Sequence, residues 1–227
     1  ASLWALKVAS RIVDMVFYSS VPENNQIVMD AKKEFRDGIV IPRNKIEDYI
    51  KEADCILIGP GLPRKDGEQE GDDDTKNLTE SLLKKYSDKK WVIDGGSLQV
   101  LNPEILMLLK ESILTPHAKE FELLKFKIQN SKFKIAISHF AKASRDKQNS
   151  KLEEQVKVFA KEYKCVVLLK GPTDIICSKN KCVRVSGGNA GMTKGGTGDV
   201  LAGLVATLYC KNDDPFLVAS CASYINK

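Results

Sequence analysis

Hydrophobic and polar positions alternate along this chain in blocks. Residues 14–19, 55–59, 91–94, 113–115 and 166–170 are apolar at most positions. Between them lie stretches whose apolar residues recur at helical spacing: 45–52, 75–86, 103–110, 119–126 and 152–163. A short run that is apolar on both faces suits a parallel strand covered by helices on each side. The regular alternation of the two patterns predicts an α/β fold with a mostly parallel central sheet. After Lys170 the pattern changes. Residues 173–177 and 182–185 flank Ser178-Lys179-Asn180-Lys181, which predicts a hairpin. The chain opens inside one helical pattern (Leu3, Leu6, Val8, Val13) and closes inside another. One domain over residues 1–227, truncated at both ends, is therefore expected.

Composition narrows the classes. A chain of 227 residues with 43% hydrophobic and 29% charged residues builds one ordinary core. The net charge of +5, from 35 basic and 30 acidic residues, is too small to argue for a nucleic-acid partner, and no basic run is interleaved with aromatics. No apolar run approaches the ~20 residues of a membrane span, and no signal-peptide pattern is present. The six cysteines (Cys55, Cys165, Cys177, Cys182, Cys210, Cys221) lie mostly in apolar runs, as buried thiols do. Cys177 and Cys182 flank the hairpin turn, but no second pair completes a zinc site. Reduced thiols, a cytoplasmic location and no structural metal are expected. Residues 65–76 read as a charged, solvated loop, and residues 127–151, basic with scattered aromatics, as an insertion or lid.

Chemistry concentrates in residues 188–210, where a turn, Gly195-Gly196-Thr197-Gly198, runs into Asp199 and an apolar helix. Glycines let a ligand approach the backbone, and the amides at a helix start cradle anions. Asp199 stands at the mouth of that cradle, placed to take a proton from a hydroxyl as a phosphoryl group arrives. The bland alternative is a loop closed by an aspartate helix cap. Four glycines between positions 191 and 198 exceed what one cap needs. Ligands of parallel sheets sit beyond the carboxyl ends of the strands. The unusual turns fall there: Gly59-Pro60-Gly61, Asp94-Gly95-Gly96, Thr115-Pro116-His117 and Lys170-Gly171. Each has its plain reading too. Thr115-Pro116 is a good helix start in any protein, Lys170 can be a solvated strand end, and Glu120 can be an acid favoured by the helix dipole.

Taken in order, GPGLP (59–63), VIDGGSL (92–98), LTPHAKEFELL (114–124), VVLLKGPTDII (166–176) and GNAGMTKGGTGDVLAG (188–203) resemble the NAD(P)H-hydrate dehydratases, a branch of the ribokinase-like superfamily. The resemblance implies a three-layer α/β/α sandwich and a lyase that repairs hydrated NADH or NADPH. In such enzymes ADP or ATP, as co-substrate, phosphorylates the added hydroxyl, and phosphate then leaves. It implies that Asp199 is the catalytic base at the substrate hydroxyl, with Gly61 and His117 as substrate contacts. Nucleotide contacts fall to Lys170, Gly171, Pro172, Thr173 and Asp174 and to Gly195, Gly196, Thr197 and Gly198. Glu120 corresponds to a carboxylate that organises Mg2+ waters. A homo-oligomer, and an epimerase partner fused or separate, are also implied. One departure is Gly96, which stands where relatives carry a second acidic residue, leaving only Asp94 on that turn. A second is the missing glycine-rich first βα unit. The rival readings are a superfamily kinase acting on a hydroxymethylpyrimidine- or sugar-like alcohol, and a nucleotide sensor without turnover. The LTPH motif, with His117 where an asparagine would suit such a kinase, and the retained Asp199 argue against them.

Overall fold

A computed structural model describes residues 2–31, 38–63, 75–129 and 145–227. The element order is α1 (Ser2–Ala9), β1 (Val16–Tyr18), α2 (Pro22–Ala31), β2 (Gly38–Val40), α3 (Ile46–Glu52), β3 (Cys55–Ile58), α4 (Thr75–Lys85), β4 (Lys90–Ile93), α5 (Gly95–Val100), β5 (Glu111–Leu114), α6 (Ala118–Gln129), α7 (Arg145–Glu162), β6 (Val166–Leu169), β7 (Thr173–Cys177), β8 (Cys182–Ser186), α8 (Thr197–Lys211) and α9 (Pro215–Asn226). Strands β3 to β8 form one six-stranded sheet in sequence order. Strands β3, β4, β5 and β6 are parallel, and β7 and β8 are antiparallel.

The strands are apolar throughout because each residue serves one of two cores. On β4, Trp91 and Ile93 join Leu83 of α4, Leu98 of α5, Phe121 of α6 and Phe159 of α7. Val92, between them, faces the other way and meets Leu201 and Val205 of α8 and Val218 of α9. The same alternation runs through Ile113 and Leu114 on β5 and Val167 and Leu168 on β6. Helices therefore cover both faces, giving three layers. Trp91 is fully buried and keeps its polar handle satisfied by donating from Nε1 to the Tyr86 carbonyl at 2.8 Å. Cutting such a side chain to alanine costs about 3–5 kcal/mol.

Several expectations change. The strand read at 14–19 does not join the main sheet; β1 pairs with β2 in a separate two-stranded parallel sheet. The helical pattern at 103–110 is a 3-10 helix, Pro103–Leu108. The Asp94-Gly95-Gly96 turn is itself the start of α5. Cys177 and Cys182, directly opposite on β7 and β8 with Cα atoms 4.2 Å apart, form a disulfide, so the expectation of reduced thiols fails for this pair. Cys55, Cys165, Cys210 and Cys221 are free. Most of the charged loop (64–74) and the centre of the expected insertion or lid (130–144) lie outside the described residues. Among the described residues no helix is long and apolar enough to cross a membrane.

Candidate functional site

The strand alternation decides what gathers at the carboxyl edge of the sheet. Asp94 continues the face of Val92, Thr115 that of Ile113 and Lys170 that of Leu168, and this is the face covered by α8. Backbone bonds hold the three strand ends together. Thr115 N–H donates to Ile93 O at 3.1 Å, and Lys170 N–H to Pro116 O at 2.8 Å, which sets His117 beside Lys170 in a parallel bridge. Lys170 Nζ then donates to Asp94 Oδ1 at 2.7 Å. This ion pair is the contact that sequence reasoning missed. Counting in twos along β4 and β6 would have put both residues on one face.

The α8 N-terminus comes to the same place. Gly196 occupies its N-cap position with φ +97, left-handed backbone that suits glycine, and has no side chain to cap with. The first-turn amides are thus those an anion can take. Asp199 is the third residue of the helix and half-buried, so it is not the cap. Gly198 lies against the ion pair: a Cβ built on it would stand 3.4 Å from Lys170 Nζ. Gly195 faces open space, and Thr197 turns its hydroxyl to the carbonyls of Met192 and Lys194 at 2.8 and 3.0 Å.

Other expected site residues take more particular positions. His117 and Glu120 cap α6 together, with Glu120 buried. Gly171 and Pro172 are exposed on the β6–β7 turn, with Thr173 half-buried at the start of β7. Asp174, expected to touch nucleotide, is buried and turned inward. Its carboxylate accepts from Gly171 N–H at 2.9 Å and from Ser223 Oγ at 2.8 Å, and lies 3.3 Å from Lys227 Nζ. These bonds brace the β6–β7 turn against α9. Gly61 lies on the β3 connection, its carbonyl 3.4 Å from Asn24 Nδ2. Three strand spacings separate β3 from β6, roughly 14 Å, so Gly61 and Lys170 would meet only the two ends of a long ligand. Thr115 Oγ1 is buried without a hydrogen-bond partner among the described residues. A cavity of about 510 Å³ opens elsewhere, between β1 and β3, and includes neither Lys170 nor the α8 start.

The carboxyl edge of the parallel sheet thus gathers Asp94, Lys170, His117 and the start of α8. The whole chain, residues 1–227, matches the sequence profile of the NAD(P)H-hydrate dehydratases. The chain belongs to that family. The ADP-dependent (S)-NAD(P)H-hydrate dehydratase of Nitrosopumilus maritimus is 32% identical over all of this chain and 72% of its own length. The bifunctional NAD(P)H-hydrate repair enzyme of Methanocaldococcus jannaschii is 32% identical over 79% of this chain, which spans only 29% of that relative's length. Among solved structures, the ADP/ATP-dependent NAD(P)H-hydrate dehydratase of Bacillus subtilis, co-crystallised with ATP/Mg2+ and soaked with CoA, superposes with a TM-score of 0.71 at 22% identity, covering 99% of this chain and 74% of its own. The hydroxyethylthiazole kinase of Pyrococcus horikoshii shares the fold at a TM-score of 0.60 and 15% identity, covering 97% of this chain and 80% of its own. The dehydratase-family chain thus has the ribokinase-like three-layer α/β/α fold.

Proposed function

We propose that this chain catalyses the nucleotide-dependent dehydration of NAD(P)H hydrate to NAD(P)H. One observation carries the reading: Asp199 sits in the first turn of a helix whose Gly198 abuts the Lys170 ammonium. That arrangement suits transfer of a phosphoryl group to a hydroxyl. Asp199 takes the proton of the hydrate's added hydroxyl as its oxygen bonds to the terminal phosphorus of the nucleotide. The bond from that phosphorus to the nucleotide's bridging oxygen breaks. The first-turn amides and Lys170 stabilise the charge on the transferred group. The carbon–oxygen bond then breaks, phosphate leaves with the pair, and loss of the neighbouring proton restores the dihydropyridine. With ADP the products are NAD(P)H, AMP and phosphate.

Among the described residues no three or more His, Cys, Asp and Glu side chains lie together as a metal cage. Mg2+ needs no cage, since it keeps several waters and binds through one or two carboxylates plus substrate phosphates. Glu120, acting through water, and the nucleotide fit that role. When bound, Mg2+ neutralises charge on the phosphates. The reading extends to a cytoplasmic enzyme and to an epimerase partner, fused or separate, which the bifunctional relatives support. A homo-oligomer is supported by Leu217, Cys221, Tyr224 and Ile225, exposed at helical spacing along one side of α9.

A small-alcohol kinase is the competing reading, and family membership disfavours it. Incubation of the full protein with hydrated NADH and each nucleotide, followed by dihydropyridine absorbance, tests the proposal. Restored absorbance with AMP or ADP formed is expected. A stable phosphorylated product without restored absorbance would favour the kinase.

A further inference from the structure

We propose that Asp94 is a positioning residue that fixes the Lys170 ammonium against the first turn of α8, so that nucleotide phosphate meets a pre-aimed cation. This deepens the functional reading above and rests on it. Asp94 occupies the N-cap position of α5, where an aspartate side chain ordinarily accepts an amide bond worth about 1 kcal/mol. Here it makes no such bond. Its carboxylate instead accepts from Lys170 Nζ at 2.7 Å, with the two side chains only 4% and 17% exposed. Forgoing a cap in order to bury an ion pair needs a reason, because such pairs contribute little net stability.

The Asp94 backbone leaves that carboxylate little freedom. Its N–H donates to Ile58 O at 3.0 Å. Its carbonyl oxygen lies 1.7 Å from where a Cβ on Gly59 would stand, so only glycine, here at φ +119, permits this approach of the β3 and β4 ends. Lysine is the reverse: a four-carbon stem carrying roughly 2 kcal/mol of rotamer entropy. Anchoring its ammonium on Asp94 removes that freedom before a ligand arrives, which is how preorganisation raises affinity. The anchored Nζ lies 3.4 Å from the Cβ position of Gly198, at the anion-binding end of α8. Of the three ammonium donors, Asp94 takes one. The others suit phosphate oxygens.

The test is a double-mutant cycle of Asp94→Asn and Lys170→Met on the full protein, read as ADP affinity by titration calorimetry and as kcat/KM for dehydration. Asp94→Asn should weaken ADP binding about tenfold in the wild-type background and leave it within about twofold in the Lys170→Met background, since the aspartate acts through the lysine. Multiplying effects, or wild-type affinity in Asp94→Asn, would overturn the proposal. Should Asp94→Asn fail to fold because it strands a buried charge, the double variant, lacking both charges, is compared with Lys170→Met alone. Equal affinities support the proposal, and weaker binding by the double variant overturns it. Calorimetry needs no hydrated substrate. A protein that binds ADP with additive effects therefore refutes the positioning role alone, whereas wild-type protein that binds no adenine nucleotide refutes the functional reading and this inference with it.

Discussion

His117 and Glu120 cap the start of α6 for each other. The His117 N–H donates to Glu120 Oε2 at 2.9 Å, and the Glu120 N–H donates to His117 Nδ1 at 3.2 Å. This is a capping box in which an imidazole nitrogen stands in for the usual hydroxyl. With Nδ1 accepting, the neutral ring carries its proton on Nε2. The ring is thereby held at the end of β5 beside Lys170 while remaining about half exposed.

The cap and the proposed Mg2+ role of Glu120 can be separated. Glutamine serves a capping box as glutamate does but brings no charge to a metal's waters. Glu120→Gln should keep the melting temperature within a few degrees, since capping contributes only about 1 kcal/mol and is retained. Its half-saturating Mg2+ concentration should rise several-fold, on the order of a lost charged contact to the ion's water shell. An unchanged Mg2+ titration would leave Glu120 the cap alone.

Asp199 is the third residue of α8, behind a glycine cap, so a stability role is limited to its favourable place in the helix dipole, roughly 0.3–1 kcal/mol. A positioned base is worth far more, roughly 10²–10⁴-fold in rate. Asp199→Asn should therefore lose dehydration by about that factor while binding ADP normally and melting close to wild type. Turnover near the wild-type rate would reduce Asp199 to a first-turn acid.

Much of this was legible beforehand for a physical reason. Strands such as Trp91–Ile93 and Val166–Leu169 are apolar at every position because two helical layers compete for them, and that signal survives without structure. The elements missed carry weak local signals. Strand β2 is three residues long, and α5 begins on two glycines, poor helix formers that read as a turn. The 3-10 helix at Pro103–Leu108 shares the short-range apolar spacing of an α-helix. Turn chemistry singled out Lys170, His117 and Gly198, which the fold brings to one edge of the sheet. Asp174 was marked by its place in a nucleotide-like motif, while its bond to Ser223, 49 residues away, leaves no trace in the sequence.

Gly196 and Gly198, two residues apart but different in role, give a contrasting pair. Gly196 is left-handed, and a Cβ on it would come 2.8 Å from the Trp4 ring. Gly196→Ala should destabilise by roughly 1–2 kcal/mol from backbone strain alone. Gly198 lies inside α8, where alanine is the better helix former by about 1 kcal/mol. Gly198→Ala should thus melt no lower than wild type. Its methyl would occupy space beside Lys170 Nζ that a phosphate oxygen needs, and ADP affinity should fall on the order of tenfold, 1.4 kcal/mol. Denaturation and calorimetry on both variants check the pair. Loss of stability in Gly198→Ala with unchanged affinity would remove Gly198 from the phosphate site.

The phosphate donor is the remaining distinction. On the proposed reading the reacting phosphorus lies in line between the substrate hydroxyl at Asp199 and its leaving oxygen, beside the first-turn amides of α8. On the proposed reading the exposed Gly171-Pro172 turn takes the rest of the adenine nucleotide, and its separation from Asp199 sets how many phosphates fit between. With the adenosine end fixed, ADP and ATP cannot both place their terminal phosphorus at the same point without moving. The ADP-dependent dehydratase of Nitrosopumilus maritimus matches this chain along its full length. We expect ADP to give the higher kcat/KM, with AMP as product, and ATP to bind the same site while transferring more slowly. Rates of dihydropyridine recovery with each nucleotide alone, and identification of the nucleotide product, measure this. A clear ATP preference would show that the longer chain sets the register, and would leave the part assigned to Asp199 intact.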